Sequence, residues 1–223
     1  MQLESNHGRG VSLVVAAKLP APAGRNGLPR GAAWDAARPV AFCSDWQGRR
    51  PDPLRETEVR LLWSPEFLFI RFRARYRGIH VFPEANTRRD QLWLRDVAEV
   101  FIQADPGNPW QYREFEISPN GSWLDLDIRL DPDVKERRKS DLHCALTSKV
   151  AVDASARVWV AELALPMNCL TAQFRPDAIW KINFFRVEGV EPARFYSAWR
   201  PTHTPQPNFH VPEAFGDLRF SSE

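Results

Sequence analysis

The stretch LFIRFRARY, at residues 68–76, alternates apolar and mostly basic side chains. Successive side chains of a β-strand point to opposite faces, so this pattern predicts a strand that buries one face and exposes the other. A second strand-like run, at residues 56–63, precedes it across the turn Ser64-Pro65-Glu66, and the two runs predict an antiparallel hairpin. The buried face of residues 68–76 would comprise Leu68, Ile70, Phe72, Ala74 and Tyr76.

Further runs of strand-like length recur at spacings of roughly 10 to 20 residues, without helical periodicity. This arrangement predicts an all-β fold, an antiparallel β-sandwich with long loops. We expect residues 1–32 to hold a first strand and a connector rich in Pro, Gly and Ala, and residues 33–223 to form the sandwich domain. The charged residues 130–141 are expected to be a solvated face or a short helix. The further runs lie at residues 96–103, 111–118, 122–130, 144–153, 157–165 and 179–187.

Charge and motifs exclude several classes of protein. A net charge of +2 is too balanced for nucleic-acid binding by phosphate neutralisation. No apolar run approaches the roughly 18 residues that span a bilayer or forms a convincing signal core, so we expect no membrane partner and, as written, a cytoplasmic chain. Phosphate-binding loops, nucleophile elbows and zinc-ligand pairs are absent, which argues against an enzyme. Cys43, Cys144 and Cys169 have no metal or redox spacing and are expected to be free thiols.

The proline-dense segment WRPTHTPQPNFHVPEAFG, at residues 199–216, cannot supply the donors of a helix or central strand, so it is predicted to be an ordered loop. Tryptophans within strand runs are predicted to be core residues, whereas those in loops are candidates for stacking on the apolar face of a sugar ring. The loop candidates are Trp93, Trp110 and Trp199.

Trp93 lies six residues before Glu99, and alternation places Glu99 on the face opposite Val100 and Ile102. One interpretation is a stacking platform beside a carboxylate that accepts sugar hydroxyls. The alternative is that Trp93 caps the sandwich and Glu99 pairs with an arginine. Acidic stripes on the next two strands, at residues 112–116 and 123–129, indicate a solvated sheet surface, or calcium binding without a recognisable ligand set.

Several of these stretches together resemble the carbohydrate-binding module family 9-like proteins of the DOMON superfamily. The resemblance covers residues 34–220 and implies an immunoglobulin-like β-sandwich that binds a mono- or oligosaccharide without catalysis, in some cases as an accessory module to glycoside hydrolases in carbohydrate catabolism. Relatives are often secreted or periplasmic, and several hold structural calcium; otherwise no cofactor is implied. The stretches are DVAEVFI, YREFEISPNG, RVWVAELALP, IWKINFFRVEG and FYSAWRPTHTPQPNFHVPEAFGDLRF.

In sugar-binding members of this family, two tryptophans sandwich a terminal sugar, and a Glu, an Arg and amide side chains bond its hydroxyls. The resemblance places the first pair at Trp93 and Glu99 and the second tryptophan at Trp199. The remaining ligand-binding candidates are Arg186, Asn183, Asn208 and His210.

Two alternatives stay open. Some DOMON sandwiches bind b-type haem and transfer electrons, for which Met167 with His143, His203 or His210 would supply axial ligands. A glycoside-processing enzyme would instead depend on Glu99, although no acid and nucleophile pair is recognisable.

Overall fold

The computed structural model describes residues 13–24, 27–105, 107–131 and 137–221. In these residues the chain forms strands and five short helices, and no helix there is long and apolar enough to cross a membrane. The strands are β1 Leu13–Lys18, β2 Val40–Phe42, β3 Thr57–Trp63, β4 Phe67–Arg75, β5 Val97–Gln103, β6 Gln111–Ile117, β7 Trp123–Leu130, β8 Arg137–Asp141, β9 Thr147–Asp153, β10 Val158–Pro166, β11 Trp180–Glu188, β12 Phe195–Ala198 and β13 Gly216–Phe220. The α-helix α1 is Met167–Leu170, and the 3-10 helices are Gly31–Ala36, Pro53–Arg55, Leu92–Leu94 and Pro212–Ala214.

The strands form two sheets. In the front sheet the order is β8-β7-β6-β5-β11-β13, with β12 also paired to β11. In the back sheet the order is β3-β4-β10-β9, with β2 also paired to β3. Strand β1 joins them, because it pairs with β13 and then with β3, in both cases parallel. All the other strand pairs described are antiparallel, so β1 is the departure from the predicted pattern.

The inner faces of the two sheets pack on each other, which confirms the predicted all-β sandwich. The predicted hairpin is present as β3 and β4, with Trp63 opposite Leu68. Phe72 of the back sheet meets Phe184 of the front sheet edge to face, with ring centroids 6.2 Å apart. Alternation along each strand therefore creates the core: every second side chain enters the space between the sheets.

A second apolar cluster covers the outer face of the front sheet. It includes Phe185 from β11, and the proline-rich residues 199–216, here called the strap, run across it. Phe209 of the strap stacks on Phe185, with centroids 4.3 Å apart and planes 14° from parallel. Trp46 and Gln47 each donate a side-chain hydrogen bond of 2.9 Å to the Thr204 carbonyl. The predicted ordered loop is thus confirmed, apart from the 3-10 turn near its end.

The structure meets two local expectations only in part. Within the charged run, residues 137–141 are exposed, as expected of a solvated face, and they form the edge strand β8 paired with β7 rather than a helix; residues 132–136 of the run lie outside the described residues. Cys144 and Cys169 form a disulfide, with Cα atoms 5.9 Å apart, whereas Cys43 is free as expected. The two bonded cysteines are 25 residues apart in sequence, and only the fold brings α1 against the segment after β8.

Candidate functional site

A cleft of about 330 Å³ opens on the outer face of the front sheet, between the edge strand β8 and the strap. Its floor contains Glu99 of β5 and Glu114 of β6. Because Val100 and Phe115 on the same strands enter the core, alternation directs these glutamates to the outer face. Two acidic side chains therefore lie at the bottom of a concave site of the size that small ligands use.

A third glutamate, Glu116, lies directly opposite Glu99 in the β5–β6 register. The side chains of Glu99, Glu114 and Glu116 are only 3%, 2% and 1% exposed. One oxygen of Glu99, one of Glu114 and both of Glu116 have no hydrogen-bond partner among the described residues. These three residues, called the glutamate cluster below, are buried without the donors that buried carboxylates normally require.

Burial is the main reason that the pKa of each of these carboxyl groups is raised, in Glu99 and Glu116 well above its usual value. The charge of Glu114 raises the pKa of Glu99 further, and Glu99 and Glu114 together raise that of Glu116. Lys139 acts in the opposite direction on all three. Repulsion and desolvation thus disfavour three simultaneous negative charges at this floor.

The predicted solvated acidic surface was therefore wrong at β6. Alternation correctly placed Glu114 and Glu116 on the outer face of their strand, but that face is not open to solvent. The strap crosses this face, and the Arg137 and Lys139 side chains of β8, two strands away in the same sheet, also line the cleft above it.

Cations and an indole form the β8 side of the cleft. Arg137 and Lys139 are two residues apart on β8 and both line it. The Lys139 ammonium lies 4.3 Å from the centroid of the Trp93 ring, in cation–π contact. Trp93 itself is held in the short 3-10 helix before β5. The rim is consequently basic and aromatic, whereas the floor is acidic.

The strap forms the opposite wall. His210 Nδ1 and the Tyr112 hydroxyl share a hydrogen bond of 2.7 Å, and the His210 backbone N–H donates to the Asn208 side chain at 3.1 Å. Burial, followed by the charges of Arg137 and Lys139, lowers the pKa of His210 well below its usual value. His210 is therefore neutral at pH 7, and this wall is polar without adding a further positive charge.

Comparison with known proteins begins with sequence. No family model matches the chain. A relative from Arthroderma benhamiae, described as an extracellular protein, is 24% identical over 179 residues, which cover 75% of this chain and 80% of the relative.

Solved structures show the similarity at the level of the fold. A candidate carbohydrate-binding protein from Bacteroides uniformis superposes with a TM-score of 0.74 at 14% identity, covering 94% of this chain and 99% of its own. A family 9 carbohydrate-binding module from Caldicellulosiruptor kristjanssonii, in complex with glucose, superposes with a TM-score of 0.58 at 12% identity. The superposition covers 95% of this chain and 96% of the module. The chain has the family 9 fold. The cellotriose complex of a family 9 module from the same organism superposes with a TM-score of 0.56 at 14% identity, covering 95% of this chain and 94% of the module.

On this family 9 fold, four of the predicted site residues line one cleft. They come from three separate parts of the chain: the turn before β5, β5 itself and the strap. The four are Trp93, Glu99, Asn208 and His210.

Trp199 does not share that cleft, so the predicted pair of facing tryptophans is not formed. Ala198 lies opposite Phe185 in the β11–β12 register and belongs to the outer cluster. The next residue, Trp199, packs against the sandwich core, with its ring 5.6 Å from that of Phe184. It borders a different pocket, beside Val14 and Val40.

Arg186 and Asn183 are also outside the cleft. Arg186 lies opposite Ala98 and points between the sheets, where its Nη2 is 3.1 Å from Glu188. The Asn183 side-chain oxygen accepts hydrogen bonds from the backbone N–H groups of Phe184 and Arg200, and its amide donates to the Arg200 carbonyl. Both side chains are used within the protein and are fully buried.

Sequence reasoning missed the second aromatic residue of the cleft. Tyr196, two residues before Ala198, shares its outward face on β12 and lines the cleft with Phe209. Arg194 also lines it and donates to the Tyr196 hydroxyl at 3.3 Å. The alternation of side chains in the stretch RFYSAW could have predicted this, because it places Tyr196 and Trp199 on opposite faces of the strand.

Met167 and the histidines considered above as haem ligands do not lie together at one site either. Met167 is buried in the core between the sheets, whereas His210 lies on the outer face of the front sheet. His143 is exposed, with its Nε2 3.8 Å from Asp141.

Proposed function

We propose that this protein binds carbohydrate without catalysing a reaction, and that the sugar occupies the cleft between β8 and the strap. The observation that carries this proposal is the placement of the Trp93 indole beside buried carboxylates with unfilled acceptor positions. A sugar ring presents apolar C–H groups to an aromatic face and hydroxyl donors at its edge. The glucose and cellotriose complexes of proteins with the same fold support the same class of ligand.

The sugar would be held by apolar walls and a polar floor. Trp93, Tyr196 and Phe209 supply aromatic surface from three elements. Glu99 and Glu114 accept hydrogen bonds from hydroxyl groups, and Lys139 and the Asn208 amide donate to ring or hydroxyl oxygens. Lys139 covers one face of Trp93, so stacking either uses the other face or displaces a cation–π contact of about 0.5–1 kcal/mol.

The strap would limit the entropy lost on binding. Its prolines restrict the backbone, and its contacts with Phe185 and the Trp46 loop hold Phe209 and His210 in place before a ligand arrives. We expect a site that changes little between the free and bound states. Because the chain has nine tryptophans, a ligand-induced change in intrinsic fluorescence that disappears in Trp93→Ala would report occupancy of the cleft.

Calorimetric titration with glucose, cellotriose and a panel of other mono- and oligosaccharides tests the proposal. We expect binding to at least one sugar, and Trp93→Ala to weaken it about tenfold, the equivalent of about 1.4 kcal/mol of lost stacking. Trp110→Ala is the matched control, because Trp110 is 44% exposed and does not line the cleft. No heat with any sugar at millimolar concentration, or equal affinity in Trp93→Ala, would contradict the proposal.

A further inference from the structure

The glutamate cluster has a geometry beyond what sugar hydroxyls require. One carboxylate oxygen from each of Glu99, Glu114 and Glu116 can be chosen so that all three lie within 4.8 Å of one another. Glu99 and Glu116 face each other across adjacent strands, and Glu114 is two residues from Glu116 on the same face of β6. Three acidic ligands are thus held by rigid sheet backbone rather than by a loop.

An independent observation concerns Glu116. It does not line the cleft surface but lies beneath it, 1% exposed, with neither oxygen bonded to any donor among the described residues. The Tyr112 hydroxyl, on the same face of β6, is already bonded to His210. An unsatisfied buried polar group costs about 1–3 kcal/mol, and more if it is charged. A bond between Glu116 and Glu114 requires a proton on one of the two carboxyl groups, and sugar in the cleft would reach Glu99 and Glu114 but not Glu116.

We propose that Glu99, Glu114 and Glu116 bind one divalent cation, Ca²⁺ in preference to Mg²⁺, at the floor of the cleft. The donors are all carboxylate oxygens, the ligands that hard cations prefer. The three oxygens lie within 4.8 Å of one another, and one ion with Ca–O bonds of about 2.3–2.6 Å contacts three such oxygens when they are up to about 4.5 Å apart. Ca²⁺ tolerates variable bond lengths and geometry, whereas Mg²⁺ demands near-ideal octahedral geometry at about 2.0–2.1 Å, so carboxylates fixed by sheet backbone favour Ca²⁺.

The charges around the site are compatible with a bound ion. Lys139 and Arg137 of β8 face the cluster and oppose the ion, but Lys139 is held over Trp93 and forms no ion pair with these glutamates in the described part of the chain. His210 of the strap is neutral at pH 7. Three carboxylates carry more negative charge than the two cations of β8 offset, so a divalent ion at the floor is electrostatically favourable.

The ion would also act on the ligand. Ca²⁺ takes 6–8 oxygen ligands, so three glutamates leave positions open towards the cleft. Resting on the proposed function, we infer that vicinal sugar hydroxyls fill those positions, which would couple sugar affinity to the cation.

Terbium luminescence tests the site without any sugar. Tb³⁺ replaces Ca²⁺ at oxygen sites, and Trp93, which lines the same cleft as Glu99 and Glu114, is the expected sensitiser of its emission. We expect the chelator-treated full chain to bind one Tb³⁺ that Ca²⁺ displaces at lower concentration than Mg²⁺. Glu116→Gln should weaken binding at least tenfold, whereas Glu162→Gln, which alters a glutamate of the back sheet paired with Arg71, should not. If Glu116→Gln does not fold by circular dichroism, Glu99→Gln replaces it.

The outcomes separate the two proposals. Absence of Tb³⁺ and Ca²⁺ binding at millimolar concentration, or equal affinity in the folded variant, would overturn the cation site. Sugar binding that is unchanged by chelator would overturn the coupling and leave carbohydrate binding standing. Cation binding with no sugar binding would support this inference and contradict the proposed function.

Discussion

Two groups of buried charged side chains lie on opposite faces of the front sheet, and they are built differently. On the inner face, Arg186 and Glu188 of β11 have opposite charges and are 0% and 1% exposed. On the outer face, the glutamate cluster has three groups of the same sign with similar burial. In the first group only the Arg186 Nε lacks a hydrogen-bond partner among the described residues, whereas in the second group four carboxylate oxygens do.

The inner group is compensated from several elements. Arg186 lies 5.0 Å from the centroid of the Trp159 ring, and Glu188 accepts hydrogen bonds from the Arg55 side chain at 3.0 Å and the Arg77 backbone at 2.9 Å. Burial lowers the pKa of Arg186, but the charge of Glu188 acts in the opposite direction. This group therefore holds the sandwich together, and it leaves little capacity for a ligand.

This contrast shows that burial alone does not distinguish a structural residue from a binding residue. Arg186 and Glu99 are both buried charges on neighbouring strands of one sheet. What separates them is whether the protein itself supplies the counter-charge and hydrogen bonds. Residues that remain uncompensated, and that adjoin a cleft, are the better candidates for an external partner.

The largest expected effect comes from breaking the inner pair. Glu188→Gln leaves Arg186 buried without its counter-charge and should lower the free energy of unfolding by about 3–5 kcal/mol. Glu58→Gln is the matched control, because Glu58 and Arg60 are also two residues apart on one strand but are 30% and 25% exposed. We expect that control to cost less than about 1 kcal/mol in urea titration. Equal losses would remove the distinction between the two environments.

Removing a buried carboxyl group that has no counter-charge should instead stabilise the protein. In chelator-treated protein at neutral pH, Glu116→Gln should raise the free energy of unfolding by about 1–3 kcal/mol, because it eliminates a buried carboxyl without donors. Loss of stability in this variant would show that the cluster is satisfied within the protein.

The stability gained in Glu116→Gln should depend on pH, because the pKa of Glu116 differs between the folded and unfolded chain. The folded pKa of Glu116 is raised, so the unfolded chain, with a pKa near 4.3, releases its proton first. Stability of the unaltered protein then falls as pH rises above about 4.3, by up to about 1.4 kcal/mol per pH unit for this group, until its folded pKa is reached. Urea titrations at several pH values should show a smaller fall in Glu116→Gln than in the unaltered chain.

The smallest effect is expected for the neutral pair between the strap and β6. Tyr112→Phe deletes the hydroxyl that bonds His210 and should cost about 1 kcal/mol. Phe215→Leu, which changes a neighbouring apolar contact of Tyr112 without touching a hydrogen bond, is a control for packing. A loss in Tyr112→Phe comparable to that of Glu188→Gln would mean that the strap depends on this bond as strongly as the sandwich depends on its ion pair.

Local pattern was sufficient for much of the fold. The alternation in residues 68–76 and in the later runs predicted strands, and those strands are present with the expected faces, as the inward Leu68 and Phe72 show. The loop character of the strap followed from its prolines. These features depend on neighbours in sequence, so a single chain reveals them.

The candidate site was only half predictable. Trp93 and Glu99 are six residues apart, and the short connection from the 3-10 helix into β5 brings both to one cleft. Trp199 and Arg186 were assigned by resemblance, but the register of β11 with β12 and β5 turned both towards the interior. A shift of one residue moves a side chain to the opposite face, so a motif match without register could not decide either position.

Which side chains share a strand face, including Glu114 with Glu116, can be read from the chain, because the two-residue period of a strand is a local property. That this face is buried, that Glu99 lies opposite Glu116, and that Lys139 and His210 approach from distant segments follow from the packing of the whole molecule. Charge compensation depends on distance in space rather than on distance along the chain. Whether a buried carboxylate has a partner is settled by long-range packing, which the pattern of neighbouring residues does not contain.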